Sequence, residues 1–114
     1  MNAVRVSVVL PREAPDQLAK LVSVEIWDAS LADAPSVLLA KQLLYDVALV
    51  PNGAVETVLE APQASAHQVL IARAHISIDG SGEIKPGDFL TTSFVEVPHN
   101  LGSNKLTLPV SQIT

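Results

Sequence analysis

Val4, Val6, Val8 and Leu10 alternate with Arg5, Ser7 and Val9 until Pro11, and this period of two predicts a first strand. Residues 12 to 19 are polar and predict a loop, with a helical turn around Asp16 to Ala19. Val22, Val24 and Ile26 then share one face of a second strand from Leu21 to Trp27. The stretch from Asp28 to Pro35 is rich in residues whose side chains bond their own backbone in turns. A third strand is expected from Val37 to Leu44, although its many leucines also suit a helix; Pro35 and Pro51 bracket it. Asn52-Gly53 signals a turn before a fourth strand, Val55 to Leu59, and residues 61 to 66 read as a loop. In the fifth strand, Gln68 to Ile78, one face carries Leu70, Ala72, Ala74, Ile76 and Ile78. The other carries Val69, Ile71, Arg73, His75 and Ser77. After the turn at Asp79 to Gly82, a sixth strand is expected from Phe89 to Val97, with Leu90 and Phe94 opposite Val95 and Val97. A seventh covers about Lys105 to Val110. Pro98 and Pro109 stand where strand ends or sheet edges belong, because proline donates no ladder bond.

About seven short strands separated by turns predict an all-β fold: an antiparallel β-sandwich, transthyretin- or immunoglobulin-like. With 114 residues, the chain has room for a single domain, residues 1 to 114. Its 15 Val and 15 Leu, against only four aromatic residues, favour strands over helices. The net charge of −5, with seven scattered Lys and Arg, argues against a nucleic-acid partner. Without cysteine there is no disulfide, thiolate metal site or cysteine nucleophile. No apolar run approaches the ~20 residues of a transmembrane helix. Met1 to Arg5 lack the basic and apolar segments of a secretory leader. A cytoplasmic location is expected, or a periplasmic one if a leader has been removed.

Three histidines are the first candidates for metal or acid–base chemistry. On one straight strand His67 and His75 stand about 26 Å apart and cannot share an ion. His75 beside Arg73 reads as a half-solvated polar row, and His99 stands alone. No serine lies in a nucleophile elbow, and Gly80-Ser81-Gly82 is too short for a phosphate loop. No catalytic residue and no cofactor are assigned.

The segment Ser77 to Asp88 has calcium-loop spacing, with Ser77, Asp79, Ser81, Glu83 and Asp88 at ligand positions and Gly82 at the sharp turn. Its charge is poor. The first position lacks a carboxylate, Lys85 adds a cation, and Asp88 is shorter than the usual glutamate. The expected role is a β-connection with positive φ at Gly82 and Gly87, and calcium affinity is expected to be millimolar or absent. Trp27 and Tyr45 are expected mainly as core plugs, with an interface as the alternative, and strand parity sets Trp27 on the outer face or at a strand end.

The motif Asp28-Ala29-Ser30-Leu31-Ala32-Asp33-Ala34-Pro35, followed by Val37-Leu38-Leu39-Ala40-Lys41-Gln42 and later by Ile71-Ala72-Arg73-Ala74-His75-Ile76, resembles the YbaY/YscW-type family of lipoprotein chaperones, pilotin-like proteins of type III secretion. The resemblance covers most of residues 3 to 97, with the Asp28 to Pro35 motif its specific part. It implies a small β-sandwich that binds another protein as a pilot, assembly factor or accessory subunit, with no catalytic residues. Lipid anchoring as that family does it needs a cysteine that this sequence lacks. Asp28, Ser30, Asp33 and Pro35 are expected to hold a turn and start the next strand.

The function expected is therefore a non-enzymatic protein-binding module, acting by strand addition or through an apolar sheet face. The alternative is a small ligand-binding or hydrolytic sandwich using Arg73, His75 and a carboxylate. Val9, Leu38 or Leu39, Val69 and Ile71 lie opposite the best core rows. They predict an apolar outer patch covered in a homo-oligomer, most simply a dimer, or by a protein partner.

Overall fold

The alternating segments fold as strands because one side of each is apolar enough to be buried while the other stays polar. The computed structural model describes residues 2–30, 33–63, 65–93, 95–102 and 104–114. The expected positions of Phe94 in the sixth strand and of Leu31 and Ala32 in the Asp28 to Pro35 motif lie outside the described residues, as do Met1, Ala64 and Ser103. Among the described residues there is no helix. The strands are β1 (Asn2–Val9), β2 (Gln17–Asp28), β3 (Val37–Leu49), β4 (Ala54–Ala61), β5 (Leu70–Ser77), β6 (Phe89–Leu90), β7 (Val95–Glu96), β8 (Lys105–Pro109) and β9 (Ser111–Gln112).

Two sheets face each other. One has the order β4-β1-β8, the other β3-β2-β5-β6-β9, with β7 also on β5. The all-β sandwich is the expected fold. Every pairing is antiparallel except that of β1 with β8, which is parallel. Val4, Val6 and Val8 of β1, with Leu59 and Leu108, pack in one cluster against Val22, Val24 and Ile26 of β2, Ala72, Ala74 and Ile76 of β5, and Phe89. Each fully buried aliphatic side chain here contributes roughly 1.5–3 kcal/mol.

Several boundaries differ from the sequence reading. The helical turn at Asp16 to Ala19 does not form: β2 already begins at Gln17, and Ala19 is fully buried. Its backbone continues the ladder, with the Lys20 N–H bonded to Ile78 O at 3.2 Å. β3 runs on to Leu49, past the Leu44 expected. β5 is shorter than expected, and His67 lies in a turn before it, closed by the Gln68 N–H on Ser65 O. The expected sixth strand is two, because Thr91 takes over a ladder position. Its N–H bonds Ala74 O at 3.1 Å, and its hydroxyl accepts the Ala74 N–H at 3.4 Å. The chain leaves the ladder there and rejoins β5 at Val95. The last strand also divides. After Pro109 the Val110 N–H bonds Val9 O, and Ser111–Gln112 cross to pair with β6.

Asn52-Gly53 turns the chain from one sheet to the other, from β3 into β4, with φ of 57° at Asn52. Gly53 is required by space. A Cβ there would lie 2.7 Å from Val50 Cγ2 and 2.9 Å from Val50 O.

Candidate protein-binding surface

The register of the six-stranded sheet sorts its outer face into rows. Because Val22, Val24 and Ile26 point inward, their odd-numbered neighbours point out. Leu38, Trp27, Ile71 and Glu96 form one row across β3, β2, β5 and β7. Lys41, Glu25 and Arg73 form the next, then Leu43, Ser23, His75 and Leu90, then Tyr45, Leu21 and Ser77. A register shift between Ile26 and Trp27 leaves Leu39 of β3 without a partner, between Leu38 (opposite Trp27) and Ala40 (opposite Ile26). This bulge reverses the alternation beyond Ala40 and so exchanges the faces of two consecutive leucines. Leu39 packs against the core, whereas Leu38 is exposed on the outside.

β3 is the outermost strand of this sheet. It pairs with β2 along one side, and among the described residues no strand pairs with its other side. A long edge strand offers a row of free backbone donors and acceptors to another chain. Here Val37, Leu38 and Tyr45 are exposed along it, Tyr45 by 65%. Tyr45 is thus no core plug. Trp27 is only part-buried on the outer face, where its indole N–H donates to Glu25 Oε1 at 3.1 Å and its ring lies 5.8 Å from the Arg73 guanidinium carbon. Among the described aromatic residues the buried one is Phe89. Of the apolar outer set, Leu38 and Val69 are exposed on this sheet, Ile71 is covered, and Val9 belongs to the other sheet.

The segment from Ser77 to Asp88 folds back over one end of the face. Asp79 Oδ1 accepts from the Ser81 N–H at 2.9 Å and the Ser77 hydroxyl at 3.3 Å, and Oδ2 accepts from Lys85 Nζ at 2.7 Å. Lys85, with the Ser81 N–H and hydroxyl, holds the Asp79 carboxyl well below the usual carboxylate range, and Asp79 in turn raises Lys85. Asp88 is buried. Its Oδ1 accepts from the Ile78 N–H at 3.0 Å, while Oδ2 accepts from the Lys85 N–H at 3.1 Å and meets His75 Nε2 at 2.9 Å. The Ser77 hydroxyl also accepts from Gly82 N–H, that of Ser81 accepts from Glu83 N–H, and Glu83 itself is exposed. Gly80, Gly82 and Gly87 have φ of 79°, 79° and 94°, which only glycine adopts at little cost. Of the five residues with calcium-loop spacing, Ser77 and Ser81 bond Asp79, Lys85 sits on Asp79 with Glu83 4.0 Å away, and Asp88 is taken instead by His75 and two backbone N–H groups.

This turn walls a groove of about 260 Å³ over the outer face. Leu21, Leu43 and Leu90 contribute apolar floor, Gly82 and Ile84 the wall, and the row Lys41, Glu25 and Arg73 the charged side. Ile84 is 56% exposed, an apolar side chain pointed away from the core. The sequence reading placed Arg73 and His75 on this face but missed Glu25, Lys41 and Ile84. Strand parity could have grouped Glu25 with Arg73; nothing local identifies Ile84.

The Asp28 to Pro35 motif serves the opposite end of β2. Asp28 Oδ1 accepts from the Ser30 N–H at 2.9 Å and from the Ser30 hydroxyl, whose oxygen in turn accepts the Val69 N–H at 2.9 Å. Gln68 Nε2 donates to Asp28 Oδ2 at 3.0 Å. The Ser30 hydroxyl, its N–H and then Gln68 lower the Asp28 pKa. The turn is thereby tied to the start of β5. Asp33 and Pro35 are exposed, and β3 starts two residues beyond Pro35. Nearby, His99 Nε2 meets Gln68 O at 2.8 Å beside a cleft of about 390 Å³ floored by Val4, Ile26, Leu70 and Val97. His67, His75 and His99 share no site. Among the described residues no three His, Cys, Asp or Glu gather as a metal centre, and no helix is long and apolar enough to cross a membrane.

The unpaired edge of a sheet is a place where an extended peptide can add as a further strand. Among solved structures, the chain is similar to an alternative pilotin from the type II secretion system of Vibrio cholerae, with a TM-score of 0.65 and 24% sequence identity over 97% of each chain. That likeness shows a pilotin-like fold. No protein-family model matches the sequence, and no curated protein does.

Proposed function

We propose that this protein is a non-enzymatic protein-binding or assembly module of the pilot or chaperone kind, which receives a partner segment along β3 and the adjoining outer face. The observation that carries the reading is the free edge of β3, 13 residues long, along which Val37, Leu38 and Tyr45 are exposed together with the charged Lys41 and Asp46. The likeness to a pilotin and the YbaY/YscW resemblance of the Asp28 to Pro35 motif support it. Strand addition supplies affinity through main-chain bonds, and alternate side chains supply selectivity. The test is affinity capture from the native host followed by amide exchange. A discrete protein partner should slow exchange along Val37–Leu49; a partner that leaves β3 exchange unchanged, or none at all, counts against it.

The second reading, a ligand-binding or hydrolytic sandwich, has the His75–Asp88 contact in its favour, since a carboxylate can orient an imidazole for proton transfer. Against it, the Ser77 hydroxyl donates to Asp79, and Arg73 stands over Trp27. Substitution of His75 alone separates the two readings: loss of a turnover or ligand profile with retained partner binding favours the second.

A further inference from the structure

The row Lys41, Glu25 and Arg73 sets two cations beside one carboxylate. Lys41 Nζ lies 3.7 Å and Arg73 Nε 3.9 Å from the carboxylate of Glu25, too far for hydrogen bonds. Two other lysines of this chain pair closely: Lys85 with Asp79 and Lys105 with Glu56, each at 2.7 Å. Glu25 Oε1 is further engaged by the Trp27 indole. Two cations therefore share one carboxylate, their side chains 46% and 48% exposed while that of Glu25 is 19% exposed. The sum within the row is one positive charge, in a chain whose net charge is −5; on the flanking rows Glu96 lies across from Ile71, and Asp88 is engaged by His75.

Apolar side chains flank this row on both sides. Leu38 and Trp27 lie one row away in one direction, and Leu43 and Leu90, with Ile84 above them, one row away in the other. Rows of one face are about 6.5 Å apart, the spacing of alternate side chains in any extended peptide. We propose that the groove binds an extended segment of a partner protein with one carboxylate between two apolar side chains. The carboxylate is taken by Arg73 and Lys41, and the apolar side chains seat on the flanking rows. One added carboxylate brings the charge of the row to zero. Arg73 presents a planar fork of donors suited to a carboxylate, and Lys41 adds a second cation. This inference rests on the protein-binding reading and specifies its chemistry.

Trp27 is the one tryptophan of the chain and lies under Arg73, so its fluorescence reports on the row directly. The full chain is titrated with the end-capped peptide Leu-Thr-Glu-Thr-Leu and with the same peptide carrying Gln or Lys in place of Glu. The Glu peptide should bind about fivefold or more tightly than the Gln peptide, the preference weakening with salt. Arg73→Gln and Lys41→Gln should each reduce that preference, with circular dichroism unchanged, and Arg73→Glu should shift it towards the Lys peptide. Equal affinity for the Glu and Gln peptides, a preference that survives in the Arg73→Gln/Lys41→Gln double variant, or binding of neither peptide overturns the proposal. If a host partner still slows exchange along β3, only this chemistry fails. If it does not, the protein-binding reading fails with it.

Discussion

Asp88 Oδ2 meets His75 Nε2 at 2.9 Å, with the Asp88 side chain 3% and that of His75 12% exposed. His75 belongs to β5, and Asp88 is the last residue before β6. The contact therefore closes the Ser77 to Asp88 segment onto the strand it leaves. The same carboxylate accepts two backbone N–H groups, of Ile78 and Lys85. One side chain thus secures both ends of the turn that walls the groove.

Removing that carboxylate is expected to be costly. Asp88→Ala leaves buried amides without acceptors and should lower stability by about 1–3 kcal/mol, with Asp88→Asn costing less. Urea unfolding measures this, and amide exchange in residues 78 to 85 should accelerate in parallel. An unchanged unfolding midpoint for Asp88→Ala would remove the organising role assigned to it.

The Asp79–Lys85 pair sets a pH dependence of known sign. Asp79 has its pKa lowered in the fold, so its contribution is present above the ordinary carboxylate value and lost as pH falls through the lowered one. Lys85 has its pKa raised, so its contribution is present below the ordinary lysine value and lost as pH rises through the raised one. The tie should persist from about pH 4 to about pH 10 and weaken with salt, because both groups are exposed. Carboxyl-carbon NMR checks this: Asp79 should titrate below 3.8 and move back towards it in Lys85→Met. A midpoint at or above that value in the native protein contradicts the pairing.

Calcium binding should be weak. An ion at Asp79 has to displace Lys85, and Asp88 already spends both oxygens on amides and on His75. Calorimetric titration should detect no binding tighter than ~0.1 mM. A tighter site would show that the turn rearranges around the ion.

The legible part of this fold is the part governed by period two. Val22, Val24 and Ile26, and Ala72, Ala74 and Ile76, were placed on the inner faces by alternation alone, and all are buried. The parallel pairing of β1 with β8 was not legible, because it joins segments separated by nearly the whole chain and leaves no local turn signal. Nor was the split at Thr91, which depends on a hydroxyl reaching the amide of Ala74. For the surface, parity put Arg73 and His75 on one face. The closeness of Asp88 to His75 was hidden because it follows from the path of a glycine-rich turn. Leu38 and Leu39 could not be told apart from sequence, since a single bulge decides which of them points out.

Self-association is the remaining expectation for the exposed apolar edge. Light scattering at high concentration should report a mass above that of one chain, and Leu38→Lys should reduce it, because edge lysines discourage strand pairing. A clean monomer across the concentration range contradicts it.

The parallel contact of β1 with β8 has a consequence for how the chain acquires its structure. Arg5 to Val9 find their partners in Lys105 to Pro109, so the small sheet needs strands from both ends of the sequence. The β2–β3 ladder, by contrast, closes over a short connection and has a low entropic barrier. The order of events this imposes is an early β2–β3 ribbon and a late arrival of β8. Until β8 docks, one side of β1 stays unpaired, and the growing chain exposes along Arg5 to Val9 a backbone edge that the finished sheet covers.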